Sequence, residues 1–210
     1  DTVDKRFMDE VVKKKGESVF LFAHSMGGGI GALFLEKYQE YFEKAVLSSP
    51  MMEINTGNYS ENMAYLISKF FIYVGKGNNY IFGQGPFNGE YNLEESATSN
   101  QYRYSRHLNA LRANEVLQRN GGSFKWINEA IKATRKLKKE ENIKKIQIPI
   151  LLFQSGKDTF VNDEGHNTFR KYAKNCKFVR FDNGKHELYF ENDDILEPYL
   201  KEIVKFYNEI

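Results

Sequence analysis

The fold of this 210-residue chain is decided by one stretch, Phe20-Leu21-Phe22-Ala23-His24-Ser25-Met26-Gly27-Gly28-Gly29-Ile30-Gly31. An apolar, β-type run over residues 18–23 reaches Ser25 almost directly, and a helical pattern rich in small residues follows over 27–38. This order predicts a strand, a sharp turn and a helix, with Ser25 at the turn.

Such a turn holds its serine in strained backbone angles, so the residues two before and two after it have to be small. Here they are Ala23 and Gly27, which depart from the usual G-x-S-x-G pattern by one methyl group. The turn would bring the Ser25 hydroxyl within reach of a base. It would also place the Met26 N–H at a helix N-terminus, where it favours a developing oxyanion. The stretch therefore predicts Ser25 as a nucleophile and Met26 as an oxyanion donor.

The same stretch also fits other interpretations. A serine in an ordinary strand-to-helix turn, with glycines for packing, stays open from the stretch alone. Gly27, Gly29 and Ala32 also fit a dinucleotide-binding loop. That loop is disfavoured because three residues separate the strand from Gly27, and the next strand ends in Ser-Ser-Pro at 48–50 without a ribose-binding carboxylate. A phosphate-binding P-loop would need Gly-Lys-Ser/Thr, which is absent.

Composition limits the classes of function. With 30 Lys and Arg against 28 Asp and Glu, the total charge does not indicate a nucleic-acid partner. One cysteine, Cys176, excludes an internal disulfide and a cysteine-rich zinc site, and we expect it to be a small buried residue. No cofactor or metal is predicted. The sequence has no apolar run of about 18 residues and no visible signal peptide, although it opens with Asp1. We expect a cytoplasmic protein, with peripheral contact to a membrane as one option.

Periodicity predicts four strands alternating with helices, and therefore an α/β fold with a parallel sheet. The predicted strands are 18–23, 44–49, 148–154 and 177–181. The predicted helices of this core are 7–12, closed by Gly16, then 27–38, 164–174 and 195–207.

A long excursion separates the second and third strands. It carries helical patterns at 62–74, 96–117 and 123–137 between clusters of turn residues. It is too long for a simple crossover, so it predicts an inserted helical cap. We expect core residues at 1–50 and 148–210, with the cap over 51–147.

A serine nucleophile needs a base and an orienting acid. Catalytic groups gather at the carboxyl ends of parallel strands, and Asp158 and His186 follow the third and fourth predicted strands. Considered separately, each of these two residues fits an ordinary role in a surface loop. Together with Ser25 they have the chain order Ser, Asp, His that this type of turn accompanies.

The remaining candidates fit less well. His24 adjoins Ser25, so we expect its side chain to point away from the turn in a structural role. His107 and His166 are expected on solvated helix faces. Asp163 and Glu164 are rival acids, but they fall at the start of the next predicted helix.

Three motifs carry a family resemblance: Ala-His-Ser-Met-Gly-Gly at 23–28, Gly-Lys-Asp-Thr-Phe-Val at 156–161 and His-Glu-Leu-Tyr-Phe-Glu at 186–191. They resemble the α/β-hydrolases of the monoacylglycerol lipase and bacterial lysophospholipase group, which are serine aminopeptidase-like hydrolases. The resemblance implies an α/β-hydrolase fold and a triad of Ser25, Asp158 and His186. Residues 102–106 and 120–126 are similar to the lysophospholipase branch, which has Gly-Gly-Pro-Thr and two further residues before its tryptophan.

The resemblance also implies an absence. Such hydrolases carry the nucleophile after the fifth strand, but only 17 residues precede the first strand here. We therefore expect the first four strands to be missing, together with the loop that supplies the second oxyanion N–H. Residues 18–23 would then form an exposed edge that invites self-association, and residues 1–210 alone would hydrolyse esters poorly.

The cap suggests a lipid ester as substrate. Eleven aromatic residues fall within 59–104, and they form either the core of the cap or a tunnel for an acyl chain. Residues 103–145 hold 12 Lys and Arg against 4 Asp and Glu. This excess is either a solvated helix face or a surface attracted to anionic membrane.

Several functions stay open at this point. The first is a lysophospholipase or monoacylglycerol lipase. Others are a serine peptidase of the proline-iminopeptidase kind, a small-ester carboxylesterase, and a non-catalytic remnant that binds a partner.

Overall fold

The structure is a computed structural model that describes residues 2–12 and 18–209. Four parallel strands form one sheet in the order β1-β2-β3-β4. This confirms the predicted parallel α/β sheet. The strands are β1 Phe20–His24, β2 Lys44–Ser48, β3 Ile150–Ser155 and β4 Cys176–Phe181. Gly16, which was predicted to close the first helix, lies outside the described residues.

Eight α-helices accompany the sheet in the described part of the chain, and the first continues into a π-helical stretch at Met8–Val12. Helices α3 to α6 lie between β2 and β3 in the chain, and the division into core and cap stays a prediction. The α-helices are α1 Thr2–Phe7, α2 Ser25–Tyr38, α3 Glu61–Tyr73, α4 Gln101–Ala113, α5 Phe124–Leu137, α6 Glu140–Ile143, α7 Asp163–Tyr172 and α8 Asp193–Asn208. Single 3₁₀ turns occur at Gln39–Tyr41, Glu115–Leu117 and Leu188–Phe190.

The central strands are buried on both faces, which explains their continuous apolar runs. Residues 45–47 of β2 and 150–153 of β3 are almost completely buried. One face packs against α2 and α7 with the ends of α5 and α6, and α8 covers the other. The parallel strands bring their carboxyl ends to one edge of the sheet, where the candidate site lies.

Strand β1 lies at one edge of the sheet, because it pairs only with β2 among the described residues. Phe20 and Phe22 keep 40% and 48% of their surface exposed. Phe22 stands opposite Val46 in the register, on the face that α8 covers farther into the sheet. Among the described residues, the outer edge of β1 is therefore exposed and apolar.

The helix predicted over 96–117 is shorter in the structure, where α4 begins only at Gln101. The polar side chains that precede it bond to the backbone in non-helical geometry. The Ser96 hydroxyl donates to the Thr98 carbonyl, and the Asn100 side chain accepts from the Arg103 N–H as the N-cap of α4. Such local bonds compete with the helix, and periodicity does not register them.

Some of the predicted aromatic residues build an interior between α3 and α5. The rings of Phe71 and Phe124 stack at a centroid distance of 4.1 Å, and Phe82 packs edge-on against both. By contrast, Phe70 and Tyr73 are 59% and 88% exposed. Within residues 2–12 and 18–209, no helix combines the length and apolar character needed to cross a bilayer.

Candidate active site

Ser25 lies at the junction of β1 and α2 with a φ of 52°, in the left-handed region that non-glycine residues rarely adopt. This strain requires outside support. The Met51 N–H supplies part of it by donating to the Ser25 carbonyl at 2.7 Å. The strained turn is the local geometry that the sequence predicted.

Of the two small residues predicted for this junction, Gly27 has no close neighbour among the described residues, whereas the two glycines that follow it do. A Cβ on Gly28 would lie 2.6 Å from Pro50 Cβ, and one on Gly29 would lie 2.6 Å from the Met51 carbonyl oxygen. A Cβ on Gly27 would meet no atom of the described residues within 4 Å. The close approach is therefore between α2 and the loop after β2, one or two residues further along the chain than Gly27.

The structure brings the three predicted residues together in one chain of hydrogen bonds. Ser25 Oγ lies 2.7 Å from His186 Nε2, and His186 Nδ1 lies 2.6 Å from Asp158 Oδ2. The His186 and Asp158 side chains are only 6% and 2% exposed. The other carboxylate oxygen of Asp158 accepts from the N–H groups of Phe160 at 2.8 Å and Val161 at 3.1 Å. These donors fix the carboxylate so that it orients the imidazole.

Two loops hold this arrangement in register. The Lys157 N–H donates to the Gly184 carbonyl at 2.9 Å, which joins the loop of Asp158 to the loop of His186. The buried Glu191 carboxylate accepts from the N–H groups of Lys185 and Ser99 through one oxygen. The His186 loop is thus tied both to its neighbour and to the segment before α4.

His24 does not point away from the site as expected. Its ring centroid lies 4.8 Å from that of His186 and 5.0 Å from that of Tyr189. Burial, assisted by the nearby His186, lowers the pKa of His24 from 6.5 to about 4. The neutral ring donates from Nδ1 to the Ser48 carbonyl at 3.0 Å. His24 is therefore a neutral side chain that packs beside His186.

His166 corrects a second expectation, because it is 1% exposed and not solvated. Its Nε2–H donates to the Pro50 carbonyl at 2.7 Å, and its Nδ1 lies 3.4 Å from the Gln154 amide nitrogen. Burial lowers the pKa of His166, so the ring is neutral at pH 7. The histidine thereby fixes the loop whose next residue, Met51, bonds to Ser25. His107 is exposed, as predicted.

The rival acids Asp163 and Glu164 lie at the start of α7, as predicted. The Asp163 carboxylate pairs with Arg180 at 2.6 Å, and neither acid bonds to His186.

A cavity of about 780 Å³ opens beside Ser25. Met51, Ile54, Trp126 and Phe160 supply apolar walls, and the residues following Arg119 supply a polar one. A second cavity of about 330 Å³, lined by Tyr59, Phe82 and Phe124 among others, shares four wall residues with the first. Each of the two volumes lies within the size range of small-molecule sites. In the described part of the chain no cluster of His, Cys, Asp and Glu is arranged to hold a metal ion.

The parallel sheet, the serine at a strand–helix turn and the helices around them define the α/β-hydrolase fold. The monoacylglycerol lipase of Paleococcus ferrophilus superposes with a TM-score of 0.72 at 18% identity, covering 96% of this chain and 72% of that chain. At this identity the likeness shows the fold alone.

The family follows from sequence comparison. The family model described as "Serine aminopeptidase, S33" matches residues 4–193, and the chain belongs to this family. This confirms the predicted resemblance.

Two lysophospholipases are similar in sequence to most of the chain. The probable lysophospholipase L2 of Haemophilus influenzae is 31% identical over 191 residues, covering 90% of this chain and 59% of that protein. Lysophospholipase L2 of Escherichia coli K12 is 23% identical over 196 residues, covering 90% of this chain and 57% of that protein. The chain thus spans less than two thirds of the length of these relatives.

Proposed function

We propose that this chain carries the acylation site of a serine hydrolase that cleaves single-chain lipid esters, as a lysophospholipase or a monoacylglycerol lipase does. The observation that carries the proposal is the hydrogen-bond chain from Ser25 through His186 to Asp158 at the wall of a largely apolar cavity.

The geometry supports nucleophilic catalysis. Ser25 Oγ attacks the ester carbonyl while its proton passes to His186 Nε2, which lies within hydrogen-bond distance. Asp158 keeps the proton on Nδ1 and stabilises the imidazolium that forms. His186 then gives its proton to the departing alcohol, which leaves an acyl group on Ser25. Water, deprotonated by the same histidine, releases the fatty acid and restores the serine.

The Met26 N–H is the oxyanion donor in this proposal. It lies in the first turn of α2, and no acceptor among the described residues bonds to it. The positive end of the α2 dipole adds to its effect on a developing negative charge. A donor aimed at the oxyanion is typically worth two to three powers of ten in rate.

The cavities support an acyl chain as the group attached to the carbonyl. The smaller cavity adjoins the Ser25 cavity at Ile81 and Ile127, which line both. Tyr59 and Phe82 extend its apolar wall. An acyl chain lying there would be removed from water, which contributes ~0.8 kcal/mol for each methylene buried.

The residues that line the Ser25 cavity disfavour a peptidase. An aminopeptidase has to hold the free ammonium group of its substrate, and a buried cation needs an anionic partner. No aspartate or glutamate belongs to the lining of the Ser25 cavity. The lysophospholipase names of the two curated relatives favour the lipid ester.

A fluorophosphonate probe tests the assignment of Ser25. The probe should label the chain, and Ser25→Ala should abolish labelling. Ser123→Ala is the matched control, because Ser123 lines the same cavity but caps α5. His186→Ala should slow labelling by several powers of ten, as loss of a triad base does. Labelling that persists in Ser25→Ala would refute the assignment, and a chain that is never labelled would favour the non-catalytic alternative.

Substrate profiling tests the lipid ester. Lysophospholipids and monoacylglycerols should be cleaved faster than short-chain esters and aminoacyl anilides, because only long acyl chains fill the second cavity. Fastest turnover of an aminoacyl anilide would establish the peptidase alternative, and fastest turnover of a short ester would establish the carboxylesterase.

A further inference from the structure

The cavity beside Ser25 has a simple charge pattern. Of the 17 residues that line it, Arg119 alone carries a charge, and no carboxylate is among them. An anionic group of a substrate would therefore meet one cation and no opposing charge in this cavity.

The Arg119 guanidinium is also available for a ligand. Its Nη1 makes long hydrogen bonds of 3.2–3.4 Å to carbonyl oxygens of residues 116–118, and Nε and Nη2 have no acceptor among the described residues. No carboxylate of those residues pairs with it. Because Arg119 is exposed at the rim, leaving its charge unpaired costs little.

Pairing is common elsewhere in the same basic segment. Half of the twelve cations within residues 103–145 form ion pairs with carboxylates, some of which lie outside the segment. These are Arg103, Lys132, Arg135, Lys136, Lys138 and Lys144. Arg119 is the unpaired cation that faces the reactive serine's cavity.

The backbone around Arg119 is held in place. The Gly121 N–H donates to the Gly85 carbonyl at 2.8 Å, and the Gly122 carbonyl accepts from the Ile81 N–H at 3.0 Å. Asn120 follows Arg119 on the same wall, and its Oδ1 accepts from a backbone N–H, which leaves its amide nitrogen without an acceptor among the described residues. Two adjacent side chains therefore offer free N–H donors on a fixed segment.

From this arrangement we propose that Arg119, with the Asn120 amide, binds the phosphodiester of a lysophospholipid and so favours lysophospholipids over monoacylglycerols. The inference rests on the proposed function and names its substrate class. A guanidinium presents a planar fork of donors that matches phosphate oxygens, and its bonds to an anion are about twice as strong as neutral ones. A monoacylglycerol has no anion at that position.

The same lining predicts which part of the head group is read. A primary ammonium such as that of ethanolamine would need a carboxylate, and the cavity lining contains none. Recognition should therefore depend on the phosphate and not on a primary ammonium attached beyond it.

Binding tests the proposal without requiring turnover. In a Ser25→Ala background, an alkyl-ether lysophospholipid and the matching alkylglycerol are titrated below their micellar concentrations. Trp126, the only tryptophan of the chain, lines the cavity and is 40% exposed, so its fluorescence reports binding. Arg119→Gln should weaken binding of the phosphate ligand roughly tenfold to a hundredfold and leave the alkylglycerol unchanged. Arg119→Lys should give an intermediate loss.

Arg106→Gln is the matched control, because it removes a guanidinium of α4 that has no carboxylate partner among the described residues and lies over the Tyr102 ring, outside the Ser25 cavity. It should leave both affinities unchanged. Unaltered affinity of Arg119→Gln for the phosphate ligand, or equal loss for both ligands, would overturn the proposal. If Arg119→Gln shows the selective loss while the wild type cleaves neither substrate, the phosphate site stands and the proposed function fails.

Discussion

The approach of α2 to the loop after β2 predicts how two glycines of the same helix differ. Gly29→Ala would place a methyl carbon 2.6 Å from the Met51 carbonyl oxygen, a distance at which the backbone has to move. Gly27→Ala, two residues earlier on the same helix, meets no described atom within 4 Å. The pair separates the effect of crowding from the effect of replacing a helical glycine.

The magnitudes follow from these contacts. Overpacking costs about 1–3 kcal/mol, and replacing glycine by alanine within a helix returns up to about 1 kcal/mol. Gly29→Ala should therefore lower the free energy of unfolding by about 1–2 kcal/mol, or roughly 2–8 °C in Tm for a chain of this size. Gly27→Ala should raise it by about 0.4–1 kcal/mol, since only the helical preference changes.

The assay combines urea unfolding with the rate of fluorophosphonate labelling. Displacing Met51 disturbs its N–H bond to the Ser25 carbonyl, so Gly29→Ala should also slow labelling, whereas Gly27→Ala should not. Equal destabilisation by the two substitutions would refute the reasoning, because it would place the tight contact at the position named by the sequence motif.

Three further predictions concern histidines and charge. His24 is neutral in the folded chain because its pKa is lowered from 6.5 to about 4, so the stability that it contributes is present above pH 6.5 and is lost as the pH falls toward 4. The free energy of unfolding measured in urea should therefore fall by up to ~3 kcal/mol over that range, and by less in His24→Gln. His166→Phe removes one of two hydrogen bonds to the Pro50 carbonyl, which keeps the Met52 N–H as a donor, and should lower the free energy of urea unfolding by about 0.5–1.5 kcal/mol, whereas His107→Phe at an exposed position should cost almost nothing. The six cations of residues 103–145 that form no ion pair with a described carboxylate should bind anionic vesicles, each contributing at most ~1 kcal/mol, and sedimentation with vesicles should fall as salt rises; equal binding to neutral vesicles would contradict this.

The sequence predicted the sheet and the hydrogen-bonded residues for a physical reason. Parallel strands align their carboxyl ends, so residues that follow different strands meet at one edge whatever their distance in the chain. Ser25, Asp158 and His186 each follow a strand by at most a few residues. Strand periodicity alone therefore placed them close together.

Side-chain directions at the site were not predictable in this way. The sequence gives no sign that the His24 ring turns toward His186, or that His166 lies under the Pro50 carbonyl. Both depend on packing between segments that are distant in the chain. The sequence also does not single out Arg119, because the composition of residues 103–145 shows only an excess of positive charge. Which cations are paired depends on carboxylates brought there by other elements, such as Glu61.

The edge of β1 that has no partner among the described residues and the proposed oxyanion donor, Met26, are connected by geometry. On the β2 side of Ser25, the N–H groups of Ser49, Met51 and Met52 are already bonded to carbonyl oxygens. A second donor for the oxyanion therefore has to approach from beyond the outer edge of β1. That edge is apolar at Phe20 and Phe22 and carries no proline or charge, which favours pairing with another strand.

We therefore predict that residues 1–210 alone self-associate through the β1 edge and hydrolyse esters slowly. Light scattering should show a mass that rises with concentration, and Phe22→Lys should lower it by placing a charge at the edge. Tyr73→Lys makes the same change at an aromatic residue of α3 that is even more exposed, at 88% against 48% for Phe22, and should leave the mass unchanged. Ester turnover should be about a hundredfold to a thousandfold below that of a version in which a strand and an N–H donor are supplied at this edge. A monomer at every concentration with full turnover would show that Ser25 needs no donor from beyond β1, because Met26 would then stabilise the oxyanion unaided.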